Sequence, residues 1–238
     1  MAAGTLYLIP CPISAETAVA DVTPSANKAV IDSLDYFIVE NVRSARRFLS
    51  KAGIARAIDT LEFRELNEHT TSQQEIEALI VPLLEGRSAG VISEAGVPAV
   101  ADPGAAVVAL CHKRGIRVVP LVGPSSVILA MMASGQNGQS FAFNGYLPVK
   151  DPDRAKAVKR FEARAITENQ AQIFIETPYR NAKLFESLLK ICQPSTMLTV
   201  AADLTSPTEF VETHPIREWA KRPVPEFAKR PSIFILGK

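Results

Sequence analysis

Between residues 89 and 126 the chain twice leaves a short apolar run, breaks into glycine, proline and serine, and resumes as helix-forming sequence. The first break, Ser93-Glu94-Ala95-Gly96-Val97-Pro98-Ala99-Val100-Ala101-Asp102-Pro103-Gly104, follows Ala89, Val91 and Ile92. The second, Val122-Gly123-Pro124-Ser125-Ser126, follows Val118, Val119 and Leu121 and opens a small-residue helix from Ser125 to Ala133. Open parallel sheets bind ligands in the crevice beyond the carboxyl ends of their strands, where backbone donors are exposed. Two such loops so close in sequence predict one shared pocket in a fold of the α/β class.

The flanking sequence agrees. Thr5 to Ile9 and Tyr36 to Val39 are short β-rich runs, and Gly90 to Ser93 and Arg117 to Leu121 complete a set of buried strands. Helical spacing covers Asn27 to Leu34, with Ala29, Val30 and Ser33 on one side, then Val42 to Lys51, stopped by Gly53. A further helix opens at Thr71-Ser72 and carries Ile76, Leu79, Ile80, Leu83 and Leu84 on one stripe. Helix Ala105 to Arg114 ends at Gly115. Strand–helix alternation with continuously apolar strands predicts a parallel sheet covered on both faces. Beyond it, strands at Ser140–Tyr146, Gln172–Glu176, Leu198–Ala201, Glu209–Glu212 and Ser232–Leu236 alternate with only two long helices, Asp153–Ala165 and Arg180–Ile191. This half predicts a mixed sheet with antiparallel neighbours. The expected organisation is two α/β domains, residues 1–121 with a mainly parallel sheet and residues 122–238 with a mixed one.

Composition removes several classes of function. With 47% apolar and 21% charged residues the chain reads as an ordinary globular protein. Its longest apolar run, Val127 to Ala133, is far too short to span a bilayer. The N-terminal apolar run lacks a basic flank and stops at Pro10, so no secretory signal and a cytoplasmic location are expected. Cys11, Cys111 and Cys192, like His69, His112 and His214, are widely scattered, and no metal site is expected. A net charge of +1 argues against a protein that coats nucleic acid by charge alone. Two basic clusters nevertheless stand out. Arg43, Arg46, Arg47 and Lys51 share one helical face, and segment 150–164 holds six cations against three acids.

No G-x-G-x-x-G dinucleotide fingerprint, G-x-x-x-x-G-K-[ST] phosphate loop or G-x-S-x-G elbow occurs. Hydride, phosphoryl and acyl chemistry are disfavoured. The remaining motifs are the two loops, Pro10-Cys11-Pro12, Glu40-Asn41-Val42-Arg43 and Glu176-Thr177-Pro178-Tyr179-Arg180.

Together these resemble the tetrapyrrole methylase superfamily of S-adenosylmethionine-dependent methyltransferases. Within it they are most similar to the branch that methylates a ribose 2′-hydroxyl of 16S ribosomal RNA. The likeness covers nearly the whole chain. It is strongest in Val91 to Pro98 with Asp102-Pro103-Gly104, where that branch reads S-D-A-G-T-P and D-P-G, and in Arg117 to Ser126, Phe143 to Pro148 and Phe174 to Arg180. The resemblance implies two α/β domains with a cofactor cleft between them, a homodimer, and S-adenosylmethionine as cofactor. It implies cofactor contacts at Pro12, Asp102, Gly104, Ala105, Ser125, Ser126, Glu176 and Ala202. Glu40, Glu94 and Glu176, each at an expected strand end, are the candidate catalytic bases, and Arg43 and Arg180 the candidate holders of substrate phosphates. The implied partner is RNA of the small ribosomal subunit. A methylase of small tetrapyrroles and a non-catalytic cofactor- or RNA-binding homologue are the alternatives. The chain departs from the branch after its first strand, where Ser14-Ala15-Glu16 replaces G-N-L, and at A-E-D-T-R, which here reads Val39-Glu40-Asn41-Val42-Arg43.

Overall fold

The computed structural model describes residues 2–67, 72–226 and 230–238. Thr71, the expected helix start, and His69 lie outside the described residues. The chain divides into two compact units, Met1–Ser125 and Ser126–Lys238. The expected domain boundary at residues 121 and 122 lies in the segment just before Ser125.

The first unit is built on strands β1 (Thr5–Ile9), β2 (Tyr36–Val39), β3 (Glu62–Glu65), β4 (Ala89–Ile92) and β5 (Arg117–Pro120). They form a five-stranded sheet in the order β3-β2-β4-β1-β5, with every neighbouring pair parallel. Side chains of one strand alternate between its faces, and both faces are covered. Ile9, Phe37 and Ile92 pack with Ile31 of α2 (Ala26–Ser33) and Phe48 and Leu49 of α3 (Val42–Lys51). Leu6, Ile38 and Val91 pack with Leu79, Ile80 and Leu83 of α4 (Gln73–Leu84) and with Val107 and Leu110 of α5 (Ala105–Lys113). Helix α4 begins with a complete capping box between Ser72 and Glu75. A single turn, α1 (Val19–Val22), precedes α2.

Three local expectations need correction. The buried side of α2 is Asn27, Ile31 and Leu34, whereas Ala29 and Ser33 are exposed. Asn27 turns inward because its amide donates to the Val122 carbonyl at 2.8 Å, a satisfied buried polar contact that an apolar pattern does not signal. Leu84 is 42% exposed and off the α4 stripe. Strand β3 was not expected, because Glu62, Phe63, Arg64 and Glu65 read as polar surface. It is an edge strand, and charge on an edge blocks further sheet pairing. Arg87 fastens this end of the sheet through Asp35 (2.8 Å) and Glu62 (2.6 Å) while lying over the Tyr36 ring.

The second unit contains β6 (Phe141–Tyr146), β7 (Ala171–Glu176), β8 (Met197–Ala202), β9 (Phe210–Pro215) and β10 (Ser232–Gly237) in the order β6-β7-β10-β8-β9. Strands β6 and β7 are parallel, joined through α7 (Asp151–Thr167), and the other neighbours are antiparallel as expected. Helices α7, α8 (Asn181–Ile191) and the short α9 (Ile216–Trp219) bury Phe161, Phe185 and Trp219 against Phe174, Val200 and Phe234. Helix α6 (Ser126–Ser134) packs through Val127, Ala130 and Met131 against Ile173, Ala201 and Ile235.

Gly123, in the link after β5, leaves no room for a side chain: a Cβ there would sit 2.3 Å from Pro10 Cγ. Gly123→Ala is expected to destabilise the protein by about 1–3 kcal/mol, the usual range for forcing a methyl into a packed site. A denaturant-unfolding midpoint equal to that of the parent would contradict this.

Candidate active site

The order of the first sheet brings the ends of β1 and β4 side by side, and the loops that leave them are stitched together. Cys11 N donates to the Gly96 carbonyl at 2.8 Å, and Gly96 N returns a bond to the Cys11 carbonyl at 3.1 Å. The link after β5 joins them through the close approach of Gly123 to Pro10. The two loops singled out in the sequence therefore share one end of one sheet.

The loop after β4 is tightly wound. Gly96 (φ 71°), Ala99 (68°), Ala101 (63°) and Gly104 (129°) all occupy the left-handed side of backbone space. For the two alanines this costs about 1–2 kcal/mol each, and such strain gathers at functional sites. Gly104 caps α5, and a Cβ added there would meet Ala99 at 3.4 Å. Ala105 is the first, exposed residue of α5.

Asp102 is half-buried in this loop. Burial, then Glu40 and more weakly Glu94, push its carboxyl up to about 6, while the nearby Ser93 hydroxyl pulls the other way. Glu40 directly follows β2 and Glu94 follows β4, so two strand-end carboxylates act on Asp102 in the loop beyond β4. Burial, Glu94 and Asp102 push the Cys11 thiol up to about 12, which keeps it protonated and unreactive at neutral pH. Cys111 and Cys192 are also buried, free thiols.

Beside the carboxylates opens a pocket of about 270 Å³. Pro12, Ile13 and Phe48 give it an apolar wall, Ser14, Ser44 and Ser93 line it with hydroxyls, and Arg47, Lys51 and Glu94 bring charge. Helix α3 supplies both cations, and its N-cap is Asn41, whose side chain accepts from Ser44 N at 3.1 Å. Pro12 and Glu94, both expected site residues, line this pocket; Arg43 lies on the exposed part of α3 and does not. Sequence reading placed Arg47 and Lys51 on a common face but did not foresee them as a pocket wall. Their four-residue spacing, opposite the buried Ala45, Phe48 and Leu49, was the available signal.

Ser125 closes the first unit, and Ser126 opens α6 of the second. The other expected residues lie in the second unit. Glu176 ends β7, and one of its oxygens accepts from Thr177 N (2.6 Å) and from Arg180 Nε and Nη2 (2.9 and 2.6 Å). Glu176 and Arg180 are thus partners. Ala202 ends β8, fully buried and in register with Ser232 and Phe210.

The sequence profile described as tetrapyrrole (corrin/porphyrin) methylases matches residues 17–220. The chain belongs to the tetrapyrrole methylase family. Among curated relatives, the ribosomal RNA small subunit methyltransferase I of Escherichia coli O157:H7 is 33% identical over 221 residues, 92% of this chain and 72% of that protein. The protein of the same name from Vibrio cholerae is 33% identical over 213 residues, 90% of this chain and 69% of its own length. Among solved structures, the methyltransferase CobJ aligns over 99% of this chain and 94% of its own with a TM-score of 0.64 at 18% identity. A uroporphyrin-III C-methyltransferase from Thermus thermophilus covers 99% of this chain and 98% of its own with a TM-score of 0.58 at 14% identity. These structural likenesses establish the two-sheet fold of the family.

In this tetrapyrrole methylase the displaced Asp102 carboxyl makes a testable contribution to stability. Its folded-state pKa of about 6 lies above its ordinary value of 3.8, so the folded state binds the extra proton between these limits. Stability from this group is therefore present at low pH and lost as pH rises towards 6. Asp102→Asn should be more stable than the parent near neutrality, by on the order of 1–2 kcal/mol after allowing for solvent screening of a half-buried group. The two proteins should converge near pH 4. Parallel stability curves across that range would show that Asp102 is not displaced.

Proposed function

We propose that this chain is an S-adenosylmethionine-dependent methyltransferase that methylates a ribose 2′-hydroxyl of small-subunit ribosomal RNA. Relatives about one-third identical over nine-tenths of the chain carry that ribosomal RNA methyltransferase name, which supports the choice of substrate. The observation that carries the choice of cofactor is the Asp102 carboxyl, half-buried and crowded by Glu40 and Glu94. Carboxylates held together against their mutual repulsion fit a cationic ligand, and S-adenosylmethionine carries a sulfonium and an ammonium group.

The bound cofactor supplies the transferable methyl group. Pro12, Asp102, Gly104, Ala105, Ser125 and Ser126 are the residues proposed to hold it, and the left-handed loop from Gly96 to Gly104 brings main chain, rather than bulky side chains, to that surface. Glu176 and Ala202 carry the same assignment from the family resemblance. A ribose hydroxyl must lose its proton as it is methylated, and a positioned carboxylate is a suitable acceptor. Of Glu40, Glu94 and Glu176, Glu94 is exposed on the pocket wall and free of the donors that crowd Glu176. Glu94 is therefore the preferred base. Arg43 and Arg180 are proposed to hold RNA phosphates, Arg180 while braced by Glu176. Homodimerisation and a cytoplasmic location belong to the same reading, and no helix among the described residues is long and apolar enough to cross a membrane.

Calorimetry should detect binding of S-adenosylmethionine or its demethylated product, and labelled methyl should pass to small ribosomal subunits from cells lacking this protein. Mass spectrometry of ribosomal RNA from those cells should show one 2′-O-methyl missing. No heat with either ligand at millimolar concentration, from folded protein, would overturn the methyltransferase reading. Asp102→Ala should weaken cofactor binding by about 1–3 kcal/mol, as expected for a lost charge-assisted contact. If only ionised Asp102 serves a cation, affinity should also fall about tenfold between neutrality and about pH 5, and this fall should vanish in Asp102→Asn. A pH-independent affinity in the parent would remove Asp102 from the binding site.

A further inference from the structure

The basic face of α3 divides into residues with different employment. Arg46 is paired with Asp59. Arg43 is exposed and stands off the pocket. Lys51 donates to the Ala15 carbonyl at 3.2 Å, which ties the loop after β1 to the helix and fixes the ammonium at the pocket edge. Arg47, one turn earlier, lines the same pocket and makes no ion pair or side-chain hydrogen bond among the described residues. An arginine and a lysine side by side, with three hydroxyls and an apolar wall of Pro12, Ile13 and Phe48, combine donors for an anion with a surface for a flat or sugar-like body.

The size of the pocket narrows the ligand. At about 270 Å³ it falls just below the range of roughly 300–1,000 Å³ that encloses a whole small ligand. A recess of this size suits one unit of a longer chain. Sequence-specific RNA recognition works in this way, by splaying single nucleotides out of the stack into side-chain pockets.

We infer that this pocket receives one nucleotide of the substrate RNA, with its phosphate on Arg47 and Lys51 and its base or sugar against Ile13 and Phe48. The inference rests on the proposed function, since it presumes an RNA substrate. It assigns Arg47 and Lys51 as positioning residues that act on the phosphate rather than on the reacting atoms. Glu94 lines the same pocket.

The test measures the affinity of small ribosomal subunits, isolated from cells lacking this protein, for Arg47→Gln, Lys51→Gln and the double variant at several salt concentrations. Each single change should weaken binding about tenfold, and the double variant should lose close to two from the slope of log affinity against log salt. Lys113→Gln, on α5 at the opposite face of the sheet, is the charge-matched control and should change neither. Affinity for S-adenosylhomocysteine should stay at the parental value in all variants, and so should the melting temperature of Arg47→Gln and Lys113→Gln, while the Lys51 variants, which lose the bond to the Ala15 carbonyl, should melt slightly lower. Unchanged particle affinity and salt slope in the double variant would overturn the inference, as would a loss of S-adenosylhomocysteine affinity, which would give the pocket to the cofactor. Parental protein that binds the particle but transfers no methyl would defeat the methyltransferase reading instead, while the comparison of particle affinities would still decide the pocket.

Discussion

The pair of hydrogen bonds between Cys11 and Gly96 marks the point on which the first unit depends. Strands β1 and β4 are neighbours, yet the chain leaves β1 towards β2 and leaves β4 towards β5. Right-handed crossovers in opposite directions must pass on opposite faces of the sheet. The cores agree, with α2 on one face and α5 on the other. The loops at that point turn off to opposite faces of the sheet, and a crevice follows from topology before any side chain is chosen. The stitch at Cys11 and Gly96 fixes its width. Asp102, Glu94 and Pro12 are then placed by the loops, and Glu40 by the end of the neighbouring β2.

Much of this was legible because apolar runs and Gly/Pro breaks report directly on buried strands and their ends. The first sheet's central strands, the loops beyond them and the antiparallel set in the second half all follow from such patterns. Features decided by single polar contacts were hidden. The burial of Asn27 comes from one bond to the Val122 carbonyl, nearly a hundred positions away. Strand β3 is held by its neighbour's backbone and by Arg87 rather than by an apolar pattern. In the site, the carboxylates could be listed from the sequence, but their crowding around Asp102 needs the loop after β4 to fold back towards the end of the neighbouring β2. The Glu176–Arg180 pair was nearer to hand, since a tight turn at Thr177 returns the chain so that residues four apart meet.

Two departures from the resembling motifs acquire physical meaning. Where the branch has aspartate in A-E-D-T-R, Asn41 caps α3, and asparagine and aspartate are equivalent in that role. The change removes a charge beside an already crowded set of carboxylates while leaving the helix start intact. After β1, the missing glycine is replaced by a compact turn in which the Ser14 hydroxyl accepts from Glu16 N and the Ser14 carbonyl from Thr17 N. The turn is secured from outside by Lys51 rather than by backbone freedom.

The left-handed alanines carry a consequence for how the loop evolves and how it greets a ligand. Glycine at positions 99 and 101 would relax the backbone, yet it would also leave the loop with more ways to be wrong before folding. Alanine reverses the exchange: the native turn is strained, but few other shapes compete with it. A surface shaped in advance has little disorder left to surrender when something binds, so more of each contact survives as affinity. By the same reasoning these two positions accept very few other residues. A β-branched side chain at either would meet a steep steric barrier in the left-handed region, whereas Val100 between them, itself β-branched and exposed, has no positive φ.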